Sequence, residues 1–221
     1  MTDLFRYLEN NAYPGRGIFI GSQDNKRVIA YFIMGRSANS RNRVFRKKED
    51  VLYTEAYDAA TVADPSLIIY NAIRACDSCI IVSNGNQTDT IYDYLREGKT
   101  YEEALATRTY EPDAPNHTPR ISALLKEDEY ILSILKKKEE ECERIFYPHP
   151  FRNGIGHFLS TYDHDGNPRP SFSSEPLECG IDLPFERFAS RLWDALNKEN
   201  KISLYVSFGD REKIFNRNEG D

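Results

Sequence analysis

The chain has few cysteines, and their spacing does not form a metal site. It contains four cysteines, two methionines and one tryptophan in 221 residues. Cys76 and Cys79 have the two-residue spacing found in zinc and redox sites. A zinc site needs four ligands, usually as two such pairs, whereas Cys142 and Cys179 stand alone in the sequence. The sequence therefore favours reduced thiols at Cys76 and Cys79 over a metal or redox site.

The chain also lacks a long apolar run and an excess of basic residues. No segment approaches the ~20 apolar residues that a membrane-spanning helix needs. Residues 1–6 lack the basic-then-apolar order of a signal peptide, so we expect a cytoplasmic protein without a membrane segment. A net charge of −6 argues against a general nucleic-acid binder, which needs a basic stripe. A small anionic ligand stays compatible with this charge, because local arginines are enough to bind one.

The length and composition indicate one domain. A chain of 221 residues buries a substantial core as a single domain, 1–221. Fourteen tyrosines and twelve phenylalanines favour a β-rich core. Residues 1–12 precede the first predicted strand as an N-terminal extension, and residues 147–184, rich in Pro, Gly and Ser, form a loop-rich insertion. A homo-oligomer is left open, since pairing at a sheet edge or helix face leaves no clear trace in a sequence.

Strands dominate the predicted secondary structure. They are expected at residues 17–21, 27–34, 51–57, 67–75, 79–83, about 156–162, and 201–208. The basic run 41–50 is expected to be a loop, and 201–208 to be the closing strand. Residues 121–144 fit either one long charged helix or two strands joined by a turn at 126–129.

Three helices are expected, at residues 88–97, 100–107 and 184–197. Thr100 and Glu103 have the spacing of a capping box, in which each side chain bonds the other's backbone N–H. Pro184 falls in the first turn of the last helix, where its missing N–H costs nothing. Strand pairs followed by covering helices predict an α+β sandwich.

A polar turn joins a buried strand to a helix at Ser83–Thr90. A strand followed by a Gly-containing turn and a helix N-terminus directs backbone N–H groups outward, which suits an anionic or carbonyl-bearing ligand. The same residue types also serve ordinary turn and capping chemistry. Taken alone, the turn favours the capping role.

Short blocks of sequence keep a common order over most of the chain. They are Tyr13-x-Gly15-Arg16, Val28-Ile29-Ala30-Tyr31, Gly35-Arg36-Ser37, Asn42-Arg43, Asp64-Pro65, Ile69-Tyr70-Asn71, Val82-Ser83-Asn84-Gly85, Thr88-Asp89-Thr90-Ile91, Tyr110-Glu111-x-Asp113 and Thr118-Pro119-Arg120-Ile121, with a weaker echo at Ser160-Thr161-Tyr162. In order and spacing the blocks resemble the archaeal-type IMP cyclohydrolase family. Two stretches depart from it: the segment between Arg36 and Arg43 is longer, and residues 147–184 have no counterpart.

The resemblance implies a fold and a reaction. The fold is the four-layer αββα sandwich of N-terminal-nucleophile hydrolases, with two strands within 121–144. The reaction closes the ring of 5-formamidoimidazole-4-carboxamide ribotide to give inosine monophosphate (IMP) and water, and it needs neither a metal nor a cofactor. The carboxamide nitrogen attacks the formyl carbon of the same molecule, so the protein must select the reactive rotamer, stabilise an oxyanion and move protons.

The resemblance also assigns catalytic roles. Arg43 would polarise the formyl or carboxamide oxygen, Tyr70 would donate its phenol to the oxyanion, and Glu111 would accept the carboxamide proton. From the residues alone, each has an ordinary alternative: a solvated loop arginine, a core aromatic in a strand, and a surface carboxylate.

A further set of residues is expected to bind the substrate. It comprises Arg36, Asn71, Ser83, Asn84, Gly85, Thr88, Asp89, Thr90 and Arg120. A guanidinium fork and turn amides suit the phosphate of a purine ribonucleotide. Asn71 either reads a base or ribose edge or satisfies buried backbone groups. Arg120 either binds substrate or forms an ion pair with Glu111 or Asp113.

Two other functions remain compatible with the sequence. One is a non-catalytic protein that binds purine nucleotides, and the other is an amide hydrolase on the same scaffold. Such hydrolases use a Cys, Ser or Thr at a processed N-terminus as nucleophile. Here the first core strand follows Tyr13-x-Gly15-Arg16, without such a residue at its head, and Thr2 lies well upstream. IMP cyclohydrolase is the expected activity.

Overall fold

Two antiparallel β-sheets form the centre of the protein. The computed structural model describes residues 1–61, 65 and 68–220. The strands in this part of the chain are β1 (Arg16–Gln23), β2 (Lys26–Met34), β3 (Arg43–Lys48), β4 (Val51–Ala56), β5 (Asn71–Cys76), β6 (Cys79–Ser83), β7 (Arg120–Leu125), β8 (Glu129–Lys138), β9 (Glu141–Pro150), β10 (Ile155–Ser160), β11 (Leu177–Gly180), β12 (Lys201–Phe208) and β13 (Arg211–Asn216). The first sheet has the order β11-β10-β1-β2-β12-β13, and the second runs from β3 to β9 in chain order.

Four α-helices of the described chain cover the outer faces of the two sheets, and the short α2 (Ala38–Arg41) lies beside the cavity described below. The four are α1 (Leu4–Glu9), α3 (Gln87–Arg96), α4 (Tyr101–Ala106) and α5 (Phe185–Ala195). Helix α4 has the predicted capping box: the Thr100 hydroxyl accepts a hydrogen bond from the Glu103 backbone at 3.1 Å, and the Glu103 carboxylate accepts one from the Thr100 backbone at 2.7 Å. No helix among the described residues combines the length and the apolar character needed to cross a membrane.

Three clusters of apolar side chains define the layer order. The central cluster joins the two sheets and includes Ile18 of β1 and Val82 of β6. An outer cluster packs α1 and α5 on the first sheet, with Phe188 at its centre. The other outer cluster packs α3 and α4 on the second sheet, through residues such as Ile91 and Leu105. The order is therefore helix, sheet, sheet, helix, which confirms the predicted α+β sandwich.

The basic run predicted as a loop is a strand. β3 pairs with β4 from Arg43↔Ala56 to Lys48↔Val51. It forms the edge of the second sheet. The Asn216 side chain pairs with the backbone groups of Phe45 on this edge: it donates to the Phe45 carbonyl at 3.1 Å and accepts from the Phe45 N–H at 2.8 Å. Charged residues are common on edge strands because they discourage pairing with another chain. The prediction of a loop at 41–50 was wrong for this reason.

Several other predicted bounds also need correction. The strand predicted at 67–75 begins at Asn71, and residue 67 lies outside the described part of the chain. The strand at 201–208 does not close the sheet, because β13 pairs beyond it. Residues 121–144 form strands rather than a helix, as the resemblance implied, but they span β7, β8 and the start of β9 instead of two strands. Within the predicted loop-rich segment 147–184, β10 is an inner strand beside β1.

Cys76 and Cys79 form a disulfide. They face each other across the β5–β6 hairpin, with their Cα atoms 5.0 Å apart. This separation lies in the range that a disulfide requires. The prediction of two reduced thiols was therefore wrong: the two-residue turn brings the sulfur atoms together.

Candidate active site

A cavity of about 340 Å³ opens at one end of the sandwich, where both sheets contribute residues. Arg16 begins β1, Met34 ends β2 and Arg43 begins β3. The segment before β7 and the one after β10 complete the walls. The lining residues are Tyr13, Arg16, Met34, Arg36, Ser37, Asn39, Ser40, Arg43, Ile68, Glu111, Asp113, Asn116, Thr118, Tyr162 and Arg169.

Glu111 forms a buried ion pair with Arg16. The carboxylate is 2% exposed, and its Oε2 lies 3.3 Å from Nη2 of Arg16. Burial raises the pKa of Glu111, while the charges of Arg16 and Arg120 oppose the rise. Burial disfavours the charged form of Arg16, but attraction to Glu111 and to nearby tyrosines keeps its pKa above the usual range. The site thus holds a carboxylate that is a stronger base than an exposed glutamate.

Arg43 presents an N–H group without a partner. Its side chain is 1% exposed, and its Nε donates to the Ser40 carbonyl at 2.7 Å. Nη1 is buried and has no hydrogen-bond partner among the described residues, and the same holds for Nε of Arg16 and Nε of Arg169. Burial, reinforced by repulsion from Arg16, lowers the pKa of Arg43. Buried donors without partners are costly, so these three N–H groups indicate a ligand with carbonyl or anionic oxygens.

Tyr70 lies near Arg16 and Arg43, but among the described residues it is not part of the cavity lining. Its phenol oxygen is 2.8 Å from that of Tyr31 on β2, and both side chains are buried. Burial and the contact with Tyr70 raise the pKa of Tyr31 well above its usual value, so this phenol keeps its proton. Both phenol groups lie near the guanidinium groups of Arg16 and Arg43.

Arg36 and Arg169 lie at the rim of the cavity, against aromatic rings. The guanidinium carbon of Arg36 lies 4.4 Å from the centre of the Tyr13 ring, and that of Arg169 lies 4.8 Å from it. Arg36 also forms an ion pair with Asp165, whose hydrogen bond raises the arginine pKa. Two cations therefore face the opening.

The polar turn Ser83–Thr90 bonds mainly to itself and to its neighbours. The Ser83 hydroxyl donates to the Gly85 carbonyl at 2.9 Å and lies 2.6 Å from the Thr88 hydroxyl. The Asn84 amide donates to the Pro119 carbonyl and accepts from the Ile121 N–H, each at 2.9 Å. In the described part of the chain, Ser83, Asn84, Gly85, Thr88, Asp89 and Thr90 do not line the cavity. These hydrogen bonds hold the turn itself, and the Asn86 side chain makes no capping hydrogen bond to α3.

Asn71 and Arg120 also have internal partners. The Asn71 amide donates to Asp89 at 2.9 Å, and Asp89 pairs with Arg74 at 2.8 Å. Arg120 donates from Nη1 to the Gln87 side chain at 2.8 Å and from Nε to the Thr109 carbonyl at 2.9 Å. Burial lowers the pKa of Arg120, and the attraction of Glu111 opposes this effect. Arg120 thus connects Gln87 of the polar turn to the segment at Thr109.

Of the residues that the sequence predicted for the site, the cavity brings together Arg36, Arg43 and Glu111, whereas Tyr70 is not part of its lining among the described residues. It gave no role to other residues of the lining, among them Arg16, Asp113, Thr118, Tyr162 and Arg169. Arg16, Asp113 and Thr118 belong to the blocks quoted above, so a signal for them was present. Arg169 lies in the loop-rich segment, where no pattern marked it.

Gly15 allows the chain to approach Tyr162. Its φ is +81°, and a Cβ there would lie 2.2 Å from the Thr161 hydroxyl and 2.7 Å from the Tyr162 ring. Residues with a side chain rarely adopt this backbone conformation, and there is no space here for a Cβ atom. Gly15 is therefore required for the close packing of the cavity wall.

We expect Gly15→Ala to lower the free energy of unfolding by about 2–4 kcal/mol, since it adds overpacking to backbone strain. Gly98→Ala is the matched control: its φ is +75°, but no atom lies within 4 Å of the added Cβ. It should cost about 1 kcal/mol. Urea unfolding of both variants checks the difference, and equal losses would contradict it.

The cavity defines a class of site. A buried carboxylate beside arginines with unpartnered N–H groups is suited to acid–base and electrostatic catalysis on a small polar or anionic ligand. A sequence profile of the family described as "IMP cyclohydrolase-like protein" matches residues 13–213. This match spans both sheets and the whole cavity, and the chain belongs to that family.

Individual relatives agree with the family. An IMP cyclohydrolase of Methanopyrus kandleri is 29% identical over 186 residues, which cover 80% of this chain and 90% of the relative. One from Methanocaldococcus jannaschii is 31% identical over 155 residues, 68% of this chain and 73% of the relative. One from Methanosphaera stadtmanae is 31% identical over 159 residues, 69% and 75% of the two chains.

Proposed function

We propose that this protein is an IMP cyclohydrolase, which closes the ring of 5-formamidoimidazole-4-carboxamide ribotide to give IMP and water. Family membership supports the reaction. The observation that carries the proposal is the Glu111–Arg16 pair, 3.3 Å apart and next to Arg43 in one cavity. It combines a base with electrostatic stabilisation, which this intramolecular condensation requires.

Glu111 accepts the proton of the attacking carboxamide nitrogen. Efficient general bases have pKa values near the working pH, and burial raises the pKa of Glu111 in that direction. Arg16 keeps the carboxylate in place and limits the rise. A base buried in this way acts on the ligand without competition from bulk water.

Arg43 and Tyr70 stabilise the negative charge that develops on the formyl oxygen. Arg43 has a buried N–H free to donate, which is fixed before the ligand arrives. Tyr70, whose phenol is held by Tyr31 near Arg43, supplies the second donor. A preorganised donor is worth more in such a site than in water, since it needs no reorganisation when the charge forms.

Arg36 binds the phosphate of the purine ribonucleotide at the rim, and Arg169 assists it. Two guanidinium groups on aromatic rings offer planar forks suited to phosphate oxygens. Direct substrate contacts by Asn71, Ser83, Asn84, Gly85, Thr88, Asp89, Thr90 and Arg120 stay predictions. Their internal hydrogen bonds support a bracing role beneath the site. A homo-oligomer and a cytoplasmic location also stay predictions.

A direct assay tests the proposal. The purified protein is incubated with the formylated carboxamide ribotide, and IMP formation is followed by absorbance. We expect turnover without an added cofactor. Saturable IMP binding without turnover would favour a nucleotide-binding protein, and release of formate from the substrate would favour an amide hydrolase. Neither turnover nor binding would overturn the proposed function.

The pH dependence of kcat/KM should report Glu111. Because the ionised carboxylate is the active form, kcat/KM rises with pH through a pKa above the usual glutamate range. Arg16→Gln removes a cation that lowers this pKa, so the acid limb moves to higher pH. Rates measured between about pH 4 and 9 check the shift. Arg211→Gln removes an exposed cation paired with Glu186 and should leave the limb in place; an unmoved limb in Arg16→Gln would contradict the prediction.

A further inference from the structure

Three polar side chains form a hydrogen-bonded chain in the cavity wall. Thr118 is 1% exposed and lies between Asp113 and Tyr162. Its backbone N–H donates to Oδ1 of Asp113 at 2.7 Å, and its hydroxyl donates to Oδ2 at 2.5 Å. The same hydroxyl oxygen lies 2.5 Å from the phenol oxygen of Tyr162. All three residues line the cavity.

The direction of this chain follows from counting hydrogens. A threonine hydroxyl carries one hydrogen, and an ionised carboxylate only accepts. Because Thr118 gives its hydrogen to Asp113, Tyr162 must be the donor in its contact with Thr118. Burial raises the pKa of Tyr162, so its phenol keeps this hydrogen at neutral pH. The phenol oxygen can then only accept further hydrogen bonds.

Packing holds the Tyr162 ring in place. It stacks on Tyr13 with 6.1 Å between ring centres, and the Arg169 guanidinium lies 5.7 Å from its centre. Gly15 packs against its edge at a distance that leaves no room for a methyl group. The phenol oxygen therefore cannot move away from Thr118 without disturbing the cavity wall.

We propose that Tyr162 is a specificity residue, whose phenol oxygen accepts a hydrogen bond from an N–H or O–H group of the ligand. This inference rests on the proposed function. In that substrate, the carboxamide N–H, which becomes the N1–H of IMP, and the ribose hydroxyls are suitable donors. An ionised phosphate offers mainly acceptors. The base and ribose therefore face Tyr162, and the phosphate lies towards the rim at Arg36.

Calorimetry with IMP and three analogues tests the inference. The analogues are 2′-deoxy-IMP, 3′-deoxy-IMP and N1-methyl-IMP, each of which lacks one donor. We expect the analogue that lacks the donor to Tyr162 to bind the wild-type protein about tenfold more weakly than IMP. Tyr162→Phe should bind IMP about tenfold more weakly and no longer discriminate against that analogue.

Variants of Thr118 separate a directional role from a structural one. Thr118→Val removes the acceptor that fixes the Tyr162 hydrogen, so discrimination between IMP and that analogue should shrink. Thr118→Ser keeps the hydroxyl and should restore it. Tyr130→Phe is the matched control, because Tyr130 is a buried tyrosine hydrogen-bonded to His157 outside the cavity. Thermal unfolding of each variant confirms that it is folded.

The outcomes are distinct. If Tyr162→Phe weakens the binding of IMP and of every analogue by the same factor, the inference is overturned, even if the wild-type protein binds IMP and turns over its substrate. Unchanged discrimination in Thr118→Val would also overturn it. Failure of the wild-type protein to bind IMP and to form it would overturn the proposed function and this inference together.

Discussion

Glu111→Gln should lower kcat by roughly 10²- to 10⁴-fold, because the amide cannot accept the carboxamide proton. The substitution keeps the size of the side chain, and its amide oxygen still accepts from Arg16. IMP affinity should therefore change much less than kcat. Steady-state kinetics and calorimetry of the same preparation check the two expectations.

The control for this variant is Glu55→Gln. Glu55 is an exposed carboxylate paired with Arg46 on the outer part of β3, so its loss should leave kcat unchanged. A Glu111→Gln variant that is folded, binds IMP and retains wild-type kcat would remove Glu111 from the mechanism. The base would then have to be sought elsewhere in the cavity, with Asp113 as the next carboxylate.

Arg43→Lys should lower kcat by roughly 10²- to 10³-fold with a smaller effect on KM. Lysine keeps a positive charge, but it lacks the planar fork that holds Ser40 with one N–H and leaves another free. If the free N–H acts on the oxyanion, its loss is felt in the transition state rather than in the ground state. Measurement of kcat and KM separately tests this distinction.

Arg46→Lys is the matched control, since Arg46 lies three residues further along β3 and pairs with exposed carboxylates. It should behave as wild type. A rise in KM without a change in kcat for Arg43→Lys would show that Arg43 only binds the ligand. The thermal midpoint shows whether the loss of the Ser40 contact has loosened the site.

The strands and helices were predictable where local patterns decide them. The β1–β2 hairpin joins two apolar runs through a short polar turn, and Thr100 with Glu103 caps α4 through neighbouring backbone. The strand β3 was missed because its charged residues resemble those of a loop, although it pairs with the adjacent β4. Its free edge is satisfied by Asn216, which is 171 residues away in the chain. No local pattern carries that information.

The same limit applies to the site. Arg43 and Glu111 were identified through the resemblance, and the cavity brings them together. Their neighbour Arg16 was missed as a partner of Glu111, because the pair spans 95 residues. The polar turn was expected to face a ligand, but Ser83 and Asn84 turn their side chains inward. A sequence shows which groups can form hydrogen bonds, whereas the direction of each bond depends on tertiary packing.

The position of the cavity between two sheets has a consequence for folding. Arg16 belongs to the sheet in which β2 lies beside β12, one of the last strands to be synthesised, and Arg36 follows β2. Arg43 belongs to the other sheet, and Glu111 is reached only after α4. Contacts this far apart in sequence close large loops and form slowly. No short stretch of the chain therefore carries a partial version of the site, and activity is a property of the completed sandwich.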